Sequence, residues 1–515
     1  MPEKVGNMRP VEEAFAAELA RVRPGLSTRY AEALPGARAA VLGRLWRGLL
    51  HEPLPGLTVT GTGVVTTAGG RLLTGSPRRP YDLGEEPALR LDGRPRSHPA
   101  ELLAALGLPG SDRLVEDLDN SVASLALSRA AAPPAYAAKT LEDHEQSVVD
   151  GHPYHPGCRN RPGVSVAEQL AYMPEHRPTV ALDLVALPAG ECLVTGPWPF
   201  REGDRLLLPV HPWQTRHVLP GLGSRPYAVA AVPARPLMSV RTLAPLDGGP
   251  HVKTAFSTRM TSGVRDISPG TVRDCVALSD LLVSLAARAG GGLRVSRYLA
   301  GAAALVNGEP TADLSALLRE PVTGNVLPVA AVTRATANDP EAWLAAFARS
   351  AMTGTLGLLA LGAALEAHGQ NLLVELDADG MPCRLIYRDL ADVRLSPARL
   401  ARHGVETPPV SARLLGDDPS VLHAKLYGSL VGTTFGSLVA LFGQGDREAE
   451  ARLWRLVAAA AREAFDALPE GPDVRADRAA LFAARLPAKA HLLARLDGAP
   501  PGDSWTTLPN PLLTR

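Results

Sequence analysis

Residues 151–163 read GHPYHPGCRNRPG. Pro153, Pro156 and Pro162 each lack a backbone donor and hold the residue before them extended. Gly157 and Gly163 permit turns or close backbone approach. Neither a helix interior nor a central strand accommodates this run, so a stiff loop presenting imidazole and guanidinium groups is expected. On its own the loop allows two readings. It is an anion site made by His152, His155, Arg159 and Arg161, or a structural turn whose histidines cap neighbouring elements. A zinc site is disfavoured, because Pro153 opposes helical i, i+3 spacing and no further ligand cluster accompanies the two histidines.

Downstream of this loop the chain is strand-rich. Residues 179–187 and 205–210 have strand character, and the latter runs into HPWQ at 211–214. LMSVRTL (237–243) and VKTAF (252–256) read as neighbouring strands separated by a Gly-Pro turn, followed by TSGVR (261–265). An amphipathic helix is expected over 271–289. Ser239, Arg241, Lys253, Thr261, Ser262 and Arg265 form a dense cationic and hydroxyl set, and charges on adjacent strands can share one face. A solvated sheet face has this composition, and so does a clamp on a polyphosphate. There is no Walker A sequence, so a nucleotide site here would not be a P-loop.

Upstream, helical spacing marks 11–22 and 37–50, a hairpin or two short strands occupy 57–73, and helices are expected over 99–108 and 112–129. AAAPPAY (130–136) is a breaker and a plausible boundary. Residues 139–149 read as a helix leading into the opening loop. The last third is mainly helical: 340–368 as one long helix or two joined at Gly354 and Gly357, then 422–442, 448–468, and a segment at 479–496 interrupted at Pro487 that carries Lys489 and Arg495. Between them, strands at 372–376 and 385–389 make a hairpin. It brings Asn371 near Asp389, with Glu366, His368 and Gln370 just before it. An Asn oxygen, carboxylates and phosphate oxygens are what Mg²⁺ prefers, while the bland alternative is a hairpin with polar ends.

Composition narrows the class. Lys plus Arg and Asp plus Glu both number 53, for zero formal charge across 515 residues. That argues against a generally basic nucleic-acid binder. Four scattered cysteines without a CxxC pair fit a reducing cytosol. The N-terminus lacks an apolar signal core, and the apolar run at 350–365 reads as a buried core helix rather than a membrane span. Only Lys4, Lys139, Lys253, Lys425 and Lys489 are lysines. A lysine retained against such an arginine bias marks a place where a compact point charge is wanted, or is retained by chance. Lys253 and Lys489 stand out for their contexts.

In order, GHPYHPGCRNRPG, LPVHPWQ, SVRTL, KTAFSTRMTSGVR, EAHGQN and YRD resemble the NRPS-independent siderophore (NIS) synthetases, the IucA/IucC family. The similarity covers about 140–395 and continues more weakly through LPAKAHLLARL to the closing NPL. Two departures are visible: the family usually has an aromatic then a lysine where this chain has Cys158 and Arg159, and the chain is shorter than many relatives.

The resemblance implies an α+β fold shaped as a cupped hand. A thumb-like part would span 1–145, a fingers-like ATP-binding part 146–315, and a palm with distant kinase-like character and an FhuF-like C-terminus 316–515. It implies a cytoplasmic homodimer that uses ATP and Mg²⁺ to adenylate a carboxylate such as citrate, then joins it to an amine, hydroxylamine or alcohol. No nucleic acid or membrane partner is implied. Carried over residue by residue, His152, His155, Arg159, Arg161, Ser239, Arg241, Lys253, Thr261, Ser262 and Arg265 hold the nucleotide. Glu366, Asn371 and Asp389 hold Mg²⁺. His368, Gln370, Lys489 and Arg495 meet the substrate, and His368, Arg265 and Lys253 are the catalytic candidates. The rival enzyme is a kinase-like small-molecule phosphotransferase, since HGQN followed by RD places Asn then Asp as kinases do on magnesium. A non-catalytic nucleotide- or carboxylate-binding protein is the rival outside enzymes.

Overall fold

The computed structural model describes residues 8–84, 87–133, 138–261, 263–496 and 503–514. The fold is α+β, with helices around mainly antiparallel sheets. Nine of the described strands form one sheet, in the order Cys192–Thr195, Tyr298–Val306, Glu309–Arg319, His251–Thr254, Thr242–Pro245, Ala228–Pro236, Val180–Pro188, Arg205–Val210 and Arg201–Glu202. Thr242 lies opposite Lys253, and Lys253 opposite Leu317, so Lys253 sits mid-sheet. A smaller four-stranded sheet contains the expected hairpin, Leu372–Leu376 against Pro382–Tyr387, with Leu372 opposite Tyr387.

Three apolar clusters support these layers. One joins the long helix Ser27–His51 to Asp112–Ala131 and also takes in Leu492 and Leu496 from the far end of the chain. A second lies under the nine-stranded sheet. The largest surrounds Pro340–Leu361 and Arg447–Asp466. Pro340–Leu361 and the stretch Pro419–Gly443 are long and apolar enough to span a membrane by composition alone, but 72% and 83% of their apolar windows are buried inside the protein.

Several elements differ from the sequence reading. LMSVRTL is a strand only from Thr242, because residues 237–241 turn sharply with Val240 at φ 68°. The helix expected to reach His368 stops at Leu361, where Gly362 adopts φ 106° and a Cβ would lie 2.9 Å from that of Arg399. EAHGQN is therefore a loop. The segment at 479–496 is α-helical only as far as Leu481. After Pro472–Leu481 the chain forms the strand Arg485–Lys489, paired with Trp505–Pro509. The helix leading into the opening loop spans only Leu141–Gln146, the 57–73 region makes three short strands, and the 130–136 breaker falls partly on residues outside those described.

Candidate active site

The opening loop is stitched to the helix Asp112–Ala131. Arg159 N–H donates to Ser121 Oγ at 3.3 Å, and Arg161 N–H donates to Asn120 Oδ1 at 2.6 Å. Gly151, at φ 71°, brings the chain so close that a Cβ would lie 2.7 Å from the Cys158 carbonyl oxygen. Both expected arginines act inside the protein. Arg159 donates to the carbonyls of Val148 and Val149, and Arg161 pairs with buried Glu175 at 2.7 Å. They border the central cavity, but they brace the loop, which corrects the expectation that both charges are free for a ligand.

The loop histidines are the groups offered to that cavity. His152 Nδ1 accepts from the backbone N–H of Tyr154 and His155, and His155 Nδ1 accepts from Gly157 N–H at 2.9 Å. With Nδ1 an acceptor, each neutral ring carries its proton on Nε2 and is a donor there. His491, absent from the sequence reading, completes the group, with ring centroids 4.8 Å from His152 and 5.0 Å from His155. Burial, reinforced by nearby cations, pushes all three below the ordinary histidine value, His155 to about 3. They are neutral donors at physiological pH.

The cavity holds about 710 Å³ and gathers most of the separate motifs. Ser239 and Arg241 come from the turn before Thr242–Pro245, Thr261 and Arg265 from the separate hairpin of Phe256–Met260 and Gly263–Arg265, Glu366, His368 and Gln370 from the EAHGQN loop, and Lys489 from the C-terminal strand. Ser262 lies outside the described residues. Arg241 donates to the Asp266 carbonyl and Arg265 to that of Met260 at 3.0 Å, and neither has an ion-pair partner among the described residues. Burial lowers both guanidinium pKa values, Arg265 to about 10, where it is still charged at neutral pH. Val240, Thr261 and Asp389 all have positive φ, at 68°, 55° and 70°. Such backbone strain concentrates where side chains are aimed for function, and the outliers at β-branched Val240 and Thr261 are stronger than the one at Asp389.

Lys253 sits behind the cavity wall. Its ammonium meets Asp389 Oδ1 and lies 3.2 Å from Tyr298 Oη, which itself donates to Asp389 Oδ1 at 2.8 Å. Burial pulls Lys253 down to about 8, opposed by Asp389. The lysine, with neighbouring arginines, overrides burial and holds the Asp389 carboxyl far below the carboxylate range.

Glu366 is held by Lys425 at 3.4 Å and Lys489 at 3.5 Å, and the same lysines grip Asp503 at 2.8 and 2.6 Å. Three of the five lysines thus belong to the cavity or its immediate support. Lys425 and Asp503 were missed in the sequence, although the rarity of lysine already marked Lys425. Arg495 does not border the cavity; it pairs with Asp117. Asn371 is buried beside the cavity, its amide donating to the Glu366 carbonyl at 3.1 Å.

The magnesium donor set can be tested on these contacts. Lys253 and Tyr298 both engage Oδ1 of Asp389, Lys425 and Lys489 both engage Oε1 of Glu366, and Asn371 uses its nitrogen. Each keeps an oxygen acceptor. Among the described residues no three His, Cys, Asp or Glu side chains gather into a metal cluster. Hard oxygen donors short of a complete cage suit Mg²⁺, which takes one or two protein carboxylates and completes its shell with phosphates and water. The residues fit.

The IucA/IucC family model matches residues 140–335, and one described as a ferric iron reductase FhuF-like transporter matches 341–501. The chain is 25% identical to an uncharacterized protein, y4xN, of Sinorhizobium fredii, over 70% of this chain and 73% of that one. It is 23% identical to the L-2,3-diaminopropanoate–citrate ligase of Staphylococcus aureus, over 78% and 79% of the two chains. Among solved structures, the petrobactin biosynthesis protein AsbB of Bacillus anthracis superposes with a TM-score of 0.77 at 17% identity, covering 95% of this chain and 98% of that one. ATP-bound aerobactin synthetase IucA of Klebsiella pneumoniae superposes at 0.73 and 19% identity, covering 92% and 100%.

Proposed function

Since the chain belongs to the IucA/IucC family of siderophore synthetases, we propose that it is an ATP-dependent ligase that activates a carboxylate, citrate or a related polycarboxylate, as an acyl-adenylate. An amine, hydroxylamine or alcohol then takes the acyl group. The observation that carries this reading is the single cavity in which uncompensated guanidiniums, neutral imidazole donors and a carboxylate–lysine cluster converge. ATP use accords with the ATP-bound structural neighbour.

A carboxylate is a poor acyl donor because its leaving group would be oxide. Attack of a carboxylate oxygen on the α-phosphorus forms a new P–O bond and breaks the bond to pyrophosphate. The acceptor then attacks the acyl carbon, loses its proton, and AMP leaves. Arg241 and Arg265 offset the repulsion between carboxylate and triphosphate and stabilise charge on departing pyrophosphate. The Nε2–H groups of His152 and His155, with Ser239 and Thr261, supply neutral donors to phosphate oxygens. Lys253 acts through Asp389, fixing its carboxylate at the rim. Lys489 and His368, beside Glu366, orient the acid, with Gln370 at the same loop. Asp389, Glu366 and Asn371 would hold Mg²⁺, which supplies further neutralisation of the triphosphate. The thumb, fingers and palm division at 145 and 315, the kinase-like palm, a homodimer and a cytoplasmic setting belong to the same reading.

The test is pyrophosphate release from ATP with citrate, succinate derivatives, 2-oxoglutarate and amino acids, each with a panel of amines. Acid-dependent pyrophosphate and AMP are expected. Release of ADP without AMP would establish the phosphotransferase instead, and no acid-dependent turnover would leave a binding protein.

A further inference from the structure

The cavity has a second cationic wall that the reaction above does not use. Arg44 and Arg47 lie one turn apart on the helix Ser27–His51, and Arg78 comes from the loop that crosses it. None has an ion-pair partner among the described residues. Of the other cations of the cavity, Arg161 has Glu175 and Lys489 has Glu366 and Asp503, while Arg241 and Arg265 are likewise without an ion-pair partner among the described residues. Arg44 donates to the His152 carbonyl at 3.1 Å and to that of Ala40 at 3.0 Å. Arg47 stacks over the Tyr154 ring at 4.4 Å and donates to the Pro80 carbonyl. Arg78 Nε is buried with no hydrogen-bond partner. The nearby carboxylate, Asp82, is taken by Arg79 through a 2.8 Å ion pair and a 3.0 Å bond from its backbone N–H. Burial lowers Arg78 to about 10; the attraction of Asp82 opposes this, and repulsion from Arg44 and Arg47 adds to it.

Three half-buried or buried guanidiniums crowd together here. The carboxylates whose charge reaches them are each engaged elsewhere, Asp82 by Arg79, Asp150 by Arg129 and Glu52 by three backbone N–H groups. An anion joining the arginines would therefore offset the cost of the cluster. The nucleotide and the reacting acid already have Arg241, Arg265 and Lys489. The remaining substrate is the acceptor. We propose that Arg44, Arg47 and Arg78 form an anion subsite for a carboxylate on the acceptor, so that the nucleophile is an amino-acid-type amine rather than a simple amine. This rests on the ligase reading. Planar, forked guanidinium donors match a carboxylate well, whereas the acceptor's own amine must stay uncharged to attack and gains nothing from this wall.

The experiment uses matched acceptors that differ only by the carboxylate: ornithine against putrescine, and lysine against cadaverine. Turnover with the acid present is expected for a carboxylate-bearing member and about tenfold or more weaker for its decarboxylated partner. In Arg78→Gln the acceptor KM should rise about tenfold, Arg78→Lys should recover part of it, and the KM values for ATP and acid should move less than twofold. Calorimetric titration of ornithine and lysine into the ATP-saturated protein gives a second readout that needs no turnover, and Arg78→Gln should weaken the binding seen. Equal use of both members of each pair, an Arg78→Gln effect on the ATP or acid KM instead, or no binding of either amino acid would overturn the subsite. Loss of acid-dependent pyrophosphate release in the unaltered protein with ornithine binding intact would overturn the ligase reading and leave the subsite standing.

Discussion

Lys253 and Asp389 show what one charge pair does for this site. They lie 136 residues apart and meet in a buried pair that Tyr298 completes. The aspartate is thereby an ionised, fixed carboxylate whose second oxygen is left for the cavity. Removing either partner leaves an uncompensated buried charge, which costs about 3–5 kcal/mol. Lys253→Ala and Asp389→Ala should therefore each lower thermal stability as well as reduce acid-dependent pyrophosphate release by about a hundredfold or more. The two losses separate in a double variant. Lys253→Met with Asp389→Asn removes both charges and keeps a residue that tolerates the positive φ at 389, so melting should return toward the unaltered value while activity stays lost. Near-normal turnover in the double variant would show that the pair serves folding alone.

At the scale of elements, the C-terminal strand pair carries Lys489, which the proposed reaction sets toward the acid. Arg485–Lys489 pairs with Trp505–Pro509 and packs on the helix Pro419–Ser429. Gly428 makes that approach possible: a Cβ there would lie 2.5 Å from Trp505 Cζ3, closer than real contacts allow. Gly428→Ala should push Trp505 and the strand off the helix, costing about 1–3 kcal/mol. Lys489 moves with them, so the KM for the acid should rise more than that for ATP. Measured melting and steady-state kinetics decide this, and unchanged values would mean that the hairpin repacks freely. This same element was the least legible in the sequence. Leu481 to Leu496 has apolar spacing that suits a helix, but Pro487 needs no ladder donor at its position and the strand's partner lies some twenty residues on, so the local pattern was overridden by a distant pairing. The turn at Val240 was likewise invisible, since a valine with positive φ contradicts every local preference. By contrast, Leu372–Leu376 and its partner were readable because a Gly turn joins two short apolar runs close together in sequence. The site was legible through its short polar motifs; Lys425 and Asp503 stand in stretches with no motif of their own, and His491, inside LPAKAHLLARL, has no second histidine near it in sequence to mark a cluster.

On the scale of the molecule, the cavity exists because the two ends of the chain are tied together. Glu52 follows the long helix Ser27–His51, and its carboxylate accepts from the backbone N–H groups of His491, Leu492 and Leu493 at 3.0, 2.7 and 3.0 Å. Leu492 and Leu496 then pack into the N-terminal core. Lys489 and His491 are thus positioned by an anchor some 440 residues away, while Arg388 ties the central hairpin to Glu145 and the Gln370 carbonyl in the same manner. A buried N–H left without its acceptor costs about 1–3 kcal/mol, so Glu52→Ala, which strands three, should be among the most destabilising single changes outside the catalytic groups. Its signature should be local first. Amide exchange at 491–493 should quicken well before the helices of the C-terminal core lose protection, because those helices have their own apolar cluster. With the anchor loosened, Lys489 no longer faces the acid from a fixed strand end, so the acid KM should rise while ATP still binds through Arg241 and Arg265. Glu52→Gln keeps one acceptor oxygen and should fall between the two. Unchanged exchange at 491–493 in Glu52→Ala would show that apolar packing of Leu492 and Leu496 holds the segment by itself.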